Sequence, residues 1–220
     1  MQLYNKVDKK VLEEKLAKSN EPRTTISFYK YHPIEDPKAF RDFLYLTFSE
    51  AGVLGRIYVA NEGINAQISV PTKQLDLFRT TLYSIDWLDN CRLNLAVDDD
   101  GKSFIKLKIL VREKIVADGL NDDSFDVNNV GKYLKAKEFN KLTDDPETIL
   151  IDMRNHYESE VGHFKGAITP DVDTFRDSLP IITDMIKGNE DKNIVMYCTG
   201  GSRCEKASAY FQHKGFENVH

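Results

Sequence analysis

Asn193-Ile194-Val195-Met196-Tyr197-Cys198-Thr199-Gly200-Gly201-Ser202-Arg203-Cys204 reads as a strand, a tight loop and the opening of a helix. The first five residues form a short apolar run, the pattern of a strand buried on both faces of a parallel sheet. The helix continues through Ala207, Tyr210 and Phe211. Outward from there, Thr148-Ile149-Leu150-Ile151-Asp152 is a second run of the same kind, with helical stretches between and after the two. Residues 132–220 are therefore expected to form an α/β domain around a parallel sheet. Gly215-Phe216-Glu217-Asn218-Val219-His220 reads as another strand beginning, so this domain is expected to be incomplete at its C-terminus.

The loop carries the chemistry. A cysteine at the C-terminal end of a parallel strand sits where open α/β sheets bind ligands. Glycines let the backbone N–H groups that follow it converge on the sulfur. The helix N-terminus adds about half a positive charge and Arg203 a full one. Each influence favours the thiolate, so Cys198 is expected to titrate at or below neutral pH, against about 8.5 for a free cysteine. The same cradle, made by Thr199, Gly200, Gly201, Ser202 and Arg203, suits a small anion such as thiosulfate, a persulfide or phosphate. Six residues from Cys198 to Arg203 make a smaller loop than the Cys-x5-Arg of protein phosphatases, which favours sulfur transfer over phosphoryl transfer.

Cys204 in the first helical turn is expected to pack, although it could also resolve a persulfide on Cys198 as a disulfide. Cys91 is expected in a core. Upstream, Asp152-Met153-Arg154 and Gly162-His163-Phe164-Lys165-Gly166-Ala167 bring polar groups to strand ends. Arg154 is expected to order the cleft by pairing with Asp152 or Glu158. His163 is expected to make a structural hydrogen bond rather than to act as a base.

The N-terminal half has another rhythm. Residues 1–21 form a polar, helical extension with Val11, Leu12 and Leu16 as a thin apolar stripe. Thr25 to Tyr29 is a strand, and Asp36-Pro37 caps a helix that Gly52 closes. Arg56 to Val59 is a second strand. In a third, Ile64, Ala66, Ile68 and Val70 alternate with Asn65, Gln67 and Ser69, and Asn61-Glu62-Gly63 makes the turn between them. Pro71-Thr72 opens a helix bearing Leu75, Phe78, Leu82 and Ile85. A last strand region runs through Leu93, Leu95 and Val97 and resumes after Asp98-Asp99-Asp100-Gly101. The order βαββαβ over residues 22–114 is that of a ferredoxin-like sandwich. Residues 115–131, rich in Asp, Asn and Gly, read as a linker.

In the resumed strand, Ser103, Ile105, Leu107, Ile109 and Val111 fall on one face by the two-residue period. Lys102, Phe104, Lys106, Lys108, Arg112 and Lys114 fall on the other. Cations interleaved with an aromatic suit a single-stranded nucleic acid, with Lys102, Lys106, Lys108 and Arg112 on the phosphates. A solvated face whose lysines discourage edge pairing has the same pattern.

Composition narrows the classes. Hydrophobic residues at 41% and charged residues at 30% describe an ordinary globular protein. No apolar run approaches the ~20 residues that span a bilayer, and the N-terminus lacks the apolar core of a signal peptide, so a cytoplasmic location is expected. Three cysteines do not make a disulfide framework, and no zinc-ligand spacing accompanies them. With 30 Lys and Arg against 35 Asp and Glu, the net charge of −5 excludes coating nucleic acid by bulk charge but leaves room for a local basic track.

The Asp152, Gly162–Ala167 and Cys198 motifs resemble the rhodanese superfamily. Gly55-Arg56-Ile57-Tyr58-Val59-Ala60-Asn61-Glu62-Gly63-Ile64-Asn65-Ala66 and Arg154-Asn155-His156-Tyr157-Glu158 resemble, more narrowly, the rhodanese-related tRNA uridine hydroxylases. That resemblance runs from about Thr24 to His220. It implies oxygen-dependent conversion of the wobble uridine of certain tRNAs to 5-hydroxyuridine, with tRNA as partner and molecular oxygen as co-substrate. It also implies that Cys198 matches the family's persulfide-bearing cysteine, and that the chain continues into a cysteine-containing tail. Ser202 stands where the family usually has an apolar residue. No flavin fingerprint, iron triad or haem ligand set is visible, and no metal site or other cofactor is evident. A plain sulfurtransferase, and a non-catalytic RNA- or protein-binding module with a redox-sensing thiol, remain as alternatives.

Overall fold

The computed structural model describes residues 3–97, 101–120 and 124–220. Asp98, Asp99 and Asp100 of the expected strand break, and Asn121, Asp122 and Asp123 of the expected linker, lie outside them. The chain divides into two compact units, Met1–Ile115 and Val116–His220. Among the described residues no helix is long and apolar enough to cross a membrane.

In the first unit, helix α1 (Lys9–Lys18) starts where the Asp8 side chain accepts from the Lys10 N–H, and it buries no residue. Strand β1 (Arg23–Tyr31) leads to α2 (Pro37–Glu50), whose first turn is capped by Asp36 accepting from the Lys38 and Ala39 amides. Strands β2 (Leu54–Ala60) and β3 (Gly63–Pro71) are an antiparallel hairpin turning through Asn61 and Glu62. One 3-10 turn leads into α3 (Leu75–Tyr83); β4 (Asn94–Leu95) and β5 (Leu107–Val111) complete the unit.

The sheet order is β4-β1-β3-β2-β5. Its first four members pair antiparallel, as the βαββαβ pattern leads one to expect, and β5 is added beside β2 in parallel. The alternation read from Ile64 to Val70 is real: Ile64, Ala66, Ile68 and Val70 are fully buried. They pack with Leu44 and Phe48 of α2 and Phe78 and Leu82 of α3 in one core. Each large side chain withdrawn from water there contributes about 1.5–3 kcal/mol.

Two expectations are corrected. The last strand region does not resume as one strand: β4 pairs with β1 and β5 with β2, so its two parts occupy opposite edges of the sheet. The basic face is also not a continuous strand face. The ladder with β2 holds only from Leu107 to Val111. Lys102 and Lys106 precede it in irregular chain, Arg112 follows it and lies over the Tyr58 ring at 5.6 Å, and Lys108 alone of the named cations is in the strand. Val111, placed on one face with Leu107 and Ile109, is 39% exposed while those two are buried.

The Glu62-Gly63-Ile64-Asn65 motif has a local job. Glu62 Oε1 accepts the Ile115 N–H at 2.7 Å and Asn65 Nδ2 donates to the Ile115 carbonyl at 3.2 Å, pinning the last residue of the unit by both its backbone groups. Gly63 sits at φ +147°, and a Cβ there would lie 2.1 Å from the Lys30 carbonyl oxygen, so the close crossing of β1 and β3 requires glycine.

The second unit contains α4 (Ala136–Thr143), β6 (Ile149–Asp152), α5 (His156–Val161), α6 (Phe175–Ile186), β7 (Asn193–Tyr197), α7 (Ser202–His213) and β8 (Asn218–Val219). The strands form a parallel sheet in the order β6-β7-β8. Ile151, Ile194 and Val195 are buried, as the two apolar runs imply. The stretch read as a linker is not a free tether. Val116, Leu120 and Phe125 pack on this unit's core, and the Gly131 N–H donates to Ser208 Oγ at 3.0 Å. Asp118 and Lys206, each 1% exposed, form an ion pair of 2.9 Å. Polar composition suggested a linker, but Asp118, one of those polar groups, has a buried partner.

Candidate active site

Cys198 follows the last residue of β7, and Gly201, at φ +93°, caps α7. That positive φ is what turns the loop, and it explains the glycine. Gly200 is outside the left-handed region of φ and has open space around its Cα, so no steric demand fixes it. The Gly201 N–H donates to Cys198 Sγ at 3.2 Å. The Cys198 pKa is lowered to about 6. The hydrogen bond from the Cys204 side chain is the foremost cause; burial of the sulfur opposes it, and the Cys204 amide, the Arg203 charge and the Gly201 amide add to it. Cys204 is half-buried and its thiol pKa is pushed up, foremost by desolvation, so it remains the donor. Cys198 is thus the expected thiolate, but its main support is a residue read from the sequence as packing.

Arg203 differs more from expectation. Its guanidinium does not open onto the cradle; it forks onto Glu158, with Nη1–Oε1 at 2.8 Å and Nη2–Oε2 at 3.1 Å. Thr199 Oγ1 donates to Glu158 Oε2 at 2.5 Å. Burial would raise the Glu158 pKa, but Arg203, Thr199 and the Asn155 amide outweigh it and hold it to about 2. A carboxylate 45 residues upstream therefore ties down two of the five loop residues expected to hold an anion. Because Glu158 titrates below its ordinary 4.5, its contribution to stability is complete above about pH 4.5 and is lost as the pH falls toward about 2. Glu158→Gln is expected to cost on the order of 2 kcal/mol at pH 7. In urea unfolding at pH 7 and pH 3, the variant is expected to lose less stability on acidification than the unaltered chain.

The second arginine behaves as read. Arg154 Nε and Nη2 bind Asp152 at 2.9 and 2.7 Å, and Nη2 also donates to the Gly162 carbonyl at 2.6 Å. Asp152 is fully buried at the end of β6. Ser159 Oγ and Tyr197 Oη each donate to its Oδ2 at 2.9 Å. Burial raises the Asp152 pKa, but these donors more than reverse it, so the carboxylate is ionised and orders the cleft. His163 Nδ1 lies 3.0 Å from the Ser159 carbonyl oxygen, a structural contact.

Cys198, Tyr197 and Phe164 are shared by two cavities. The larger, about 440 Å³, is also lined by Tyr133, Leu134, Phe139, Asn140 and Cys204. The smaller, about 360 Å³, is also lined by Arg154, Gly162, His163 and Thr199. A nucleophilic sulfur with an aromatic chamber on one side and a polar one on the other can meet a flat apolar ring and a small polar reactant together. Of the expected residues, Cys198, Thr199 and Arg154 line a cavity and Gly201 lines the larger one, whereas Arg203 buttresses from behind through Glu158. Ser202 is the first residue of α7. Lys102, Lys106, Lys108 and Arg112 belong to the other unit, all exposed.

A strand-end thiolate in a cysteine loop on a parallel sheet defines a rhodanese-like domain, and the model of that domain matches residues 135–220. The model of the UPF0176 acylphosphatase like domain matches residues 23–115. The chain is 55% identical over 219 residues to the tRNA uridine(34) hydroxylase of Photorhabdus laumondii. It is 58% identical over 218 residues to that of Yersinia enterocolitica and 57% over 219 to that of Pectobacterium carotovorum. Each match covers 99% of this chain and 62% of the relative. The chain belongs to the family of these rhodanese-domain proteins and spans about 62% of their length.

Proposed function

We propose that this protein hydroxylates the wobble uridine of tRNA to 5-hydroxyuridine, in the cytoplasm, with Cys198 as its reacting group. The observation that carries the reading is a thiolate of pKa about 6 in the wall shared by the two cavities. Its support from kinship is that the relatives are named tRNA uridine(34) hydroxylase. Attack of the Cys198 sulfur on C6 forms a C–S bond and drives the ring electrons toward the C4 carbonyl, leaving C5 enolate-like. C5 then takes one oxygen atom of molecular oxygen, the other leaving as water with two electrons from an external reductant. Loss of the C5 proton and expulsion of the thiolate restore the ring. Lys102, Lys106, Lys108 and Arg112 supply exposed cations for the tRNA backbone in the first unit.

The test is mass spectrometry of tRNA nucleosides from cells lacking the protein and from cells with it restored. The 5-hydroxyuridine-derived nucleosides should vanish and return. Undiminished amounts in the deletion contradict the reading.

The smaller cavity favours a second reading. Arg154 and Thr199 beside Cys198 suit a sulfur-containing anion. Thiolate attack on thiosulfate would give a Cys198 persulfide and release sulfite. Steady thiocyanate formation from thiosulfate and cyanide, without any change in tRNA nucleosides, would favour a sulfurtransferase.

A further inference from the structure

The segment that leads into and forms α4 is locally basic, as residues 102–114 of the first unit are. Residues 131–141 carry Lys132, Lys135, Lys137 and Lys141 against Glu138 alone, in a chain of net charge −5. Glu138 is spoken for: it accepts from Lys132 Nζ at 3.3 Å and from the Lys135 N–H at 3.0 Å. Lys135, Lys137 and Lys141 are exposed, and their side chains have no ion-pair partner among the described residues. Lys137 and Lys141 stand one helical turn apart, about 6 Å along the axis, on the scale of successive phosphates in an extended strand.

The neighbouring face of the same helix opens on the larger cavity. Ala136, Phe139 and Asn140 line it. From Phe139 a row of rings runs inward: Phe139 to Phe164 at 4.9 Å between centroids, then Phe164 to Tyr197 at 4.8 Å, ending beside Cys198. At the mouth, Tyr133 is 67% and Phe164 50% exposed, an unusual price in apolar surface unless something stacks there. The Asn140 side-chain amide, with donors and an acceptor both available, has no hydrogen-bond partner among the described residues. Surface lysines alone would be a solvated helix face. Lysines, stacking rings and a cavity ending at a nucleophile are the parts a single-stranded nucleic acid needs.

We propose that residues 132–141 form a single-strand clamp, in which Lys137 and Lys141 hold the backbone while one base, unstacked from its neighbours, enters the larger cavity past Phe139 and Phe164. The clamp rests on the tRNA reading above and adds to it an RNA contact within the rhodanese-like unit itself, beside the thiol. It also assigns the two cavities: the larger to the base, the smaller to the small reactant. The Coulomb attraction of the lysines brings the strand in, and stacking offsets part of the cost of taking the base out of its own stack.

The test is binding of a fluorescently labelled, uridine-containing tRNA anticodon stem-loop to the purified protein across a range of salt. Lys137→Gln/Lys141→Gln should lower affinity on the order of tenfold and reduce the slope of log K against log salt by about 1.4, two single-strand phosphate contacts. Thermal melting of the double variant should be unchanged, since both side chains are exposed. Unaltered affinity and slope in the double variant overturn the clamp while leaving the tRNA reading intact. Unaltered RNA binding with loss of binding to polyglutamate overturns it in favour of an acidic protein partner. Failure of the unaltered protein to bind the stem-loop at all overturns both.

Discussion

Replacing Cys198 by serine is expected to reduce 5-hydroxyuridine formation at least about a thousandfold, to the background of cells without the protein. The serine hydroxyl is close to isosteric, so the loop should still close and the fold should hold. What is lost is ionisation. The sulfur is a thiolate near neutral pH because Cys204, the loop amides and Arg203 favour its anion; a hydroxyl in the same place keeps its proton and is a poor nucleophile. Nucleoside mass spectrometry reads the activity and thermal melting reads the fold. Full hydroxylation by Cys198→Ser would remove the thiol from the reaction, whatever the fate of the rest of the site.

The second large effect is on stability. Lys206, two residues after Cys204 in α7, is buried against Asp118, with its Nζ also donating to the Val116 carbonyl at 3.3 Å. Asp118 Oδ1 in turn accepts the Leu120 N–H at 2.9 Å. Lys206→Ala leaves that carboxylate buried without its cation, and the expected loss is about 3–5 kcal/mol in urea unfolding. The double variant Lys206→Met/Asp118→Leu removes both charges and should recover most of that loss. A single variant that costs under about 1 kcal/mol would show that the pair is solvated and that residues 116–131 are not held by it.

What was legible in the sequence was local. Asp36-Pro37 caps its own helix, Ile64 to Val70 alternates because one face meets a core, and the apolar residues 150–151 and 194–196 are buried in the strands of a parallel sheet. The strand-loop-helix around Cys198 was legible for the same reason. Readings failed where the deciding partner lay far along the chain. The two-residue pattern of residues 102–114 outlasts the ladder that could make it a strand, and that ladder is set by β2, some 50 residues away. Arg154 had two candidate carboxylates, Asp152 and Glu158; Arg203, read as an anion holder, takes Glu158 from 45 residues upstream and leaves Asp152 to Arg154. Cys204 looked like packing because a helical cysteine usually is; its hydrogen bond to Cys198 exists only once the loop has closed. The polar linker composition concealed Asp118, whose partner is 88 residues downstream in sequence.

The thiolate itself is open to direct measurement: the pH dependence of the alkylation rate of Cys198, read site by site by mass spectrometry so that Cys91 and Cys204 do not contribute. The rate should follow a single ionisation with a midpoint near 6, and Cys204→Ala should move that midpoint upward. A midpoint at about 8.5, the value of an unperturbed cysteine, unmoved by Cys204→Ala, would contradict the account of an activated thiol at this strand end.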